Sequence, residues 1–198
     1  MGNIKGYLFL KEAGLSVGIE NPLVARKFSE IEKWINSHKK PDLFIRGFDD
    51  RTKITDSPYV NRGSEAFFLN SIDVEEAFKK IKLELDNKGV PLGNRLFLIG
   101  RAIREDNSNF CGQAYYSDNI ILIDIKLGGR PRGQDWKPDL SFSIKINNKS
   151  PDLSDVDEKW KKIISRICLD IMKLYNKTCL EFAELKTGEF FYHDLYIH

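Results

Sequence analysis

Apolar residues in the second half of the chain gather into short runs: RLFLIGRAIR (95–104), NFCGQAYYS (109–117), NIILIDIKL (119–127) and LSFSIKI (140–146). Short turns rich in Asn, Ser or Asp separate the first three, a pattern that predicts an antiparallel meander. From Ser154 the period lengthens. Val156, Trp160, Ile163, Ile164, Ile167, Cys168, Ile171, Met172 and Tyr175 then fall on one stripe of an amphipathic helix, with Ser154-x-x-Asp157 as its capping pattern. The last stretch, TCLEFAELKTGEFFYHDLYIH (178–198), reads as two strands joined at Lys186-Thr187-Gly188.

The first half alternates differently. IKGYLFLKEA (4–13) predicts a helix stopped by Gly14, and SEIEKWINSHKK from Ser29 a second, opened by Ser29-x-x-Glu32. The strand DLFIRG (42–47), a polar irregular stretch (48–63), the strand EAFFLN (65–70) and the helix VEEAFKKIKLELDN (74–87) follow, with Ser71 or Asp73 as the helix cap. These elements imply an α+β protein with an N-terminal lobe at 1–93 and a C-terminal lobe at 94–198 holding the meander, the long helix and the closing hairpin.

In the hairpin's first strand, Cys179, Ala183 and Leu185 lie on one face, and Leu180 and Phe182 on the other. Glu181 shares the first face, and Asp194 stands on the partner strand. A carboxylate in such apolar company needs a cation or a donor, because burying it unpaired costs several kcal/mol or neutralises it.

With 198 residues, 41% of them hydrophobic, the chain can bury a true core. No uncharged apolar run approaches the roughly 20 residues that cross a bilayer, and the first residues lack a secretory h-region, so the cytoplasm is the expected compartment. Cys111, Cys168 and Cys179 are too scattered for a disulfide framework or a zinc site, and read as buried thiols. A formal charge of +2, from 31 basic and 29 acidic residues, argues against whole-surface attraction to nucleic acid and makes any anion site local.

Four features stand in a suggestive order: Lys5-Gly6 near the start, Arg46 closing an apolar strand, a Gly-rich loop within the meander, and acids on the last hairpin. This order resembles the ATP-binding domain of pyruvate phosphate dikinase and phosphoenolpyruvate synthase, an ATP-grasp fold. GNIKGYLFLKEAGLSV is similar to that family's Gly-Gly-Lys-Gly opening, with Ser16 in place of a proline; DLFIRGFDD resembles its Val-Arg-Ser-Ser strand, with Gly47-Phe48 in place of the serines. SEAFFLNSIDVEEAFKKIK, NFCGQAYYS and IDIKLGGRPRGQDWKPDLSFSI resemble later segments, and Pro138-Asp139 is the clearest match among them. CLEFAELKTGEFFYHD resembles the hairpin that binds the magnesium of MgATP. The resemblance implies MgATP as ligand and phosphoryl transfer as chemistry. It places Lys5 and Arg46 on the phosphates, Glu181 and Asp194 on magnesium, and Arg101 and Ile103 on the strand beside the adenine. Arg130 and Arg132 fall in a closing loop. Cys179 stands where that family has an aspartate, which leaves a soft thiol beside a site for a hard cation. The phosphoryl acceptor would be a separate protein or small molecule.

Each residue also has a plainer reading. Lys5 can be a solvated lysine, and Arg46 can pair with Asp49 or Asp50, since its planar fork suits carboxylates as well as oxyanions. The 127–137 loop can be a phosphate lid or a strip touching nucleic acid. His38, His193 and His198 show no metal-ligand spacing. Two further functions remain open at this point: a non-catalytic nucleotide-binding module, suggested by Cys179 and the lost serines, and a nucleic-acid-binding protein using Arg101, Arg104, Arg130 and Arg132.

Overall fold

The computed structural model describes residues 4–38, 43–53, 63–70, 72–102, 108–128, 137–174 and 177–197. The chain divides into two compact units: Met1–Lys5 with Gly18–Ile103, and Gly6–Val17 with Arg104–His198. The boundary read from sequence near residue 93 lies just before a strand of the first unit.

In the first unit a four-stranded antiparallel sheet has the order β1-β4-β2-β3, formed by Ile19–Ala25, Arg95–Ala102, Leu43–Asp49 and Phe67–Phe68. RLFLIGRAIR therefore does not open the meander. β4 pairs with β1 and β2, where Leu98 and Ile99 become wholly buried. β1 was not foreseen, because IENPLVA carries a proline and the polar pair Glu20-Asn21. β2 runs on to Asp49, held opposite Arg95, so Arg46 lies in mid-strand opposite Leu98 rather than at a strand end. The expected strand 65–70 shrinks to two paired residues.

Helix α2 (Phe28–Ser37) and helix α3 (Val74–Asn87) supply the apolar faces of this unit's core, in which Ile31, Ala77, Ile81 and Leu85 join Ala25, Ile45, Phe97 and Ile99. The Oδ1 atom of Asp73, one of the two caps the sequence offered, accepts hydrogen bonds from the backbone N–H groups of Glu75 and Glu76. At α2 the carboxylate of Glu30, rather than the Ser29–Glu32 pattern, accepts from the N–H groups of Arg26 and Lys27. Gly47 is dictated by packing: a Cβ there would come 2.5 Å from Ile81 and 2.9 Å from Leu85.

The second unit holds a six-stranded antiparallel sheet of order β10-β9-β5-β6-β7-β8. The strands are β5 (Ser108–Ser117), β6 (Ile120–Leu127), β7 (Leu140–Asn147), β8 (Ser150–Pro151), β9 (Thr178–Leu185) and β10 (Phe190–Ile197). One face carries Phe110, Ala114, Ile121, Ile123, Ile125, Leu180 and Phe182, and Trp160 of helix α4 (Glu158–Ile171) packs on Phe110 and Phe142. The helix starts later than the sequence pattern implied. Asp157 caps it through the N–H of Lys159, whereas Ser154 bonds Asp152. Most of helix α1 (Ile4–Glu12) belongs to this unit; Gly6 lets it approach β10 so closely that a Cβ would meet the Leu195 carbonyl oxygen at 2.7 Å. Behind α1, Val17 forms a parallel bridge to Tyr192, whose N–H donates to the Ser16 carbonyl. Among the described residues no helix is long and apolar enough to cross a membrane.

Candidate functional site

In the second unit the sheet face opposite α4 carries the acids. Up to Tyr192, β10 pairs regularly with β9: Phe190 with Glu184, Phe191 with Ala183, Tyr192 with Phe182. The register then slips by one, and Asp194 lies directly opposite Glu181. His193 is the extra residue of this β-bulge. Without it, Asp194 would face Leu180 and point toward the α4 core; with it, Asp194 shares the face of Glu181, about 5 Å away between Cβ atoms. The facing of the two carboxylates, which the family resemblance implied and strand alternation alone does not give, therefore depends on one inserted residue.

Burial at this position is uneven. Asp194 is only 1% exposed, and Glu181 is half-buried. Cys179, two residues before Glu181 on the same face, has its thiol pushed up to about 12, first by burial and then by the charges of Glu181 and Asp194. The fields of both carboxylates thus converge on one sulfur, which stays a protonated thiol and offers no anionic ligand. Among the described residues no three His, Cys, Asp or Glu side chains gather closely enough to hold a metal by themselves.

The same face continues across the sheet. Glu181 stands opposite Gln113, Gln113 opposite Asp124, and Asp124 opposite Ser141, whose hydroxyl donates to Asp124 over 2.6 Å. Gln113 and Asp124 were not singled out from sequence, since each reads there as an ordinary solvent-facing strand residue. The loop after β6 is pinned at both ends: the N–H of Gly128 donates to the Asn109 carbonyl, and Asp139 accepts from Lys126 Nζ and from the N–H of Leu127. Arg130 and Arg132 lie outside the described residues, as does Ile103.

In the first unit the cations gather at the ends of β1 and β2. Lys5 Nζ donates to Asp50 Oδ1 over 2.7 Å, and Arg26 to Asp50 Oδ2 over 2.5 Å. These partners hold the Asp50 carboxyl below its usual range, Lys5 more strongly than Arg26. Arg46 lies two residues from Phe48 on the strand face that leads to Asp50; its Nε donates to the Ser64 carbonyl, and its guanidinium sits 5.2 Å from the Phe48 ring centre. Asp49, on the opposite face of β2, takes a two-pronged bond from Arg51. Arg101 pairs with Glu20 across β1 and β4 at 2.9 Å, both half exposed. Arg26 escaped the sequence reading because nothing local ties it to residue 50. His38 stacks on Trp34, and His193 rests edge-on against Phe191.

No protein-family model matches the chain, and no curated protein matches it in sequence. Solved structures do match in shape. An L-amino acid ligase from Bacillus licheniformis superposes with a TM-score of 0.52 at 13% identity, covering 98% of this chain and 42% of that one. D-alanyl-alanine synthetase A from Vibrio cholerae gives 0.52 at 12%, covering 99% and 54%. The D-alanine-D-alanine ligase from Coxiella burnetii gives 0.50 at 14%, covering 99% and 47%. The chain spans about half the length of these proteins. At such identities the likeness concerns fold: this is an α+β chain of ATP-grasp type, two-lobed, with an antiparallel sheet in the C-terminal lobe. The shared architecture is that of ATP-grasp ligases, and it does not single out the dikinase family.

Proposed function

We propose that the chain is a MgATP-binding module of ATP-grasp type whose chemistry is phosphoryl transfer. The observation that carries this reading is the His193 bulge, which turns Asp194 onto the face of Glu181. Structural irregularities that re-aim a charged side chain concentrate near functional sites. The ATP-grasp fold supports the nucleotide, and the motif resemblance to the dikinase ATP-binding domain supports the residue roles.

In this reading Lys5 and Arg46 contact the β- and γ-phosphates, while the backbone around Arg101 and Ile103 accommodates the adenine. The resemblance would assign Arg130 and Arg132, outside the described residues, to a closing loop. Glu181 and Asp194 suit magnesium: both are hard oxygen donors, adjacent on one face, and phosphate oxygens with water complete the six positions the ion prefers. The ion, when bound, neutralises charge on the terminal phosphates. This chain's own part is to hold two carboxylates toward the ion, two cations toward the phosphates, and a dry surround. The acceptor is a separate molecule.

Thermal denaturation tests it. MgATP at a hundredfold excess over Kd is expected to stabilise by about 2.7 kcal/mol, a rise of about 5–10 °C for a chain of this size, and ATP with a chelator by less. Glu181→Gln removes the magnesium-dependent part of the rise. A variant that holds MgATP as tightly as the parent refutes the ligand role. Consumption of ATP in the presence of cell extract distinguishes a phosphotransferase from a module that only binds.

A further inference from the structure

Arg26, Lys5 and Asp50 come from three separate segments and meet at one point in the first unit. Arg26 follows the last residue of β1 and has its N–H held by Glu30 at the start of α2. Its guanidinium is anchored at both ends, NH1 donating to the Gly93 carbonyl over 3.2 Å and NH2 to Asp50 over 2.5 Å. Asp50 is itself fixed, its N–H donating to the Asn94 carbonyl over 2.7 Å. An arginine has five N–H donors, so two are used here and three remain uncommitted among the described residues. Two cations share one carboxylate here, on side chains exposed by 55% for Arg26 and 36% for Lys5 but only 22% for Asp50. The negative partner is the least accessible member, and the positive ones face outward.

We propose that Arg26 is a further phosphate-binding residue and that Asp50 is a positioning residue, holding the Arg26 fork and the Lys5 ammonium side by side for one oxyanion tail. The assignment rests on the MgATP reading above and names the cation set of that site. A guanidinium held through both terminal nitrogens presents its remaining N–H groups in fixed directions, which suits a polyphosphate better than a loose lysine does. Side chains held in place before the ligand arrives lose less entropy on binding.

The probe that isolates this cation set is inorganic tripolyphosphate without magnesium, titrated calorimetrically into the full chain alongside MgATP and AMP. Arg26→Gln is expected to weaken tripolyphosphate and MgATP about tenfold and to leave AMP within twofold; Arg26→Lys falls between. Asp50→Asn is expected to weaken both polyphosphates, with Asp50→Glu restoring most of the affinity. A purely structural Asp50 would lower the melting temperature and depress AMP and MgATP alike, and that result overturns the positioning role. An Asp50→Asn protein that binds tripolyphosphate as tightly as the parent, or tighter, shows that the carboxylate merely competes for the cations and also overturns it. A parent that ignores tripolyphosphate removes the site altogether. Tripolyphosphate binding that depends on Arg26 in a protein indifferent to magnesium upholds the cation set while the MgATP reading falls.

Discussion

Replacing Tyr192 with Phe removes one oxygen atom from the element that carries the bulge. The Tyr192 hydroxyl donates to Asp170 of α4 over 2.7 Å, and the side chain is 1% exposed. Asp170, 8% exposed, keeps Lys173 at 2.7 Å and Arg166 at 3.9 Å when the phenol is gone. The loss is therefore that of one charge-assisted hydrogen bond, about 2 kcal/mol, without a stranded carboxylate. For a chain of this length that lowers the melting temperature by about 4–8 °C. A second signature comes from pH. Burial, then the Asp170 carboxylate, raises the Tyr192 phenol far above its ordinary value of 10.0. The folded state therefore keeps a proton that the unfolded state releases above about pH 10, so the stabilisation is complete below that pH and declines as pH rises, by about 1.4 kcal/mol per pH unit. Tyr7, raised to about 12 by burial, adds a parallel loss between about pH 10 and 12. Urea unfolding at pH 8 to 11 should show Tyr192→Phe less stable at neutrality, with a shallower alkaline decline by about one proton. A variant as stable as the parent, with an unchanged alkaline slope, would show that the phenol does not tie β10 to α4.

Two other outcomes follow from local packing and charge. Gly47→Ala should cost about 1–3 kcal/mol in urea unfolding, because the added methyl must displace Ile81 and Leu85, whereas Gly93→Ala, which meets nothing within 4 Å, should change stability by less than about 0.5 kcal/mol. Iodoacetamide at pH 8 should leave Cys168 and Cys179 unmodified in the native protein, both thiols being raised to about 12, and mass spectrometry should find Cys179 modified faster in Glu181→Gln, which removes one of the two charges opposing its ionisation. Rapid native labelling of Cys179 in the parent would contradict the convergence of both carboxylates on that sulfur.

Local pattern determined much of this protein. The 3.6-residue stripe marked α3 and α4, the start of α3 was narrowed to Ser71 or Asp73, and alternation along β9 put Glu181 on the face of Cys179 and Ala183, away from Leu180 and Phe182. Each of these is settled within about ten residues of chain, where side-chain period and backbone geometry act together. The resemblance to an ATP-grasp domain, read from segments spread along the chain, agrees with the fold.

What only the tertiary structure decided depends on partners distant in sequence. β4 reads as one more meander strand, yet its hydrogen bonds go to β1 and β2, where its two apolar faces can both be covered. Arg26 and Asp50 are 24 residues apart, and no periodicity links them; they meet because β1 and β2 flank β4. The face on which Asp194 lies follows from a single slip of register against β9, and simple alternation from Phe191 gives the opposite answer. A one-residue shift inverts every side chain beyond it, and whether it occurs depends on which face each strand must bury against its neighbours, a condition written in the assembled sheet and not in any stretch of the chain.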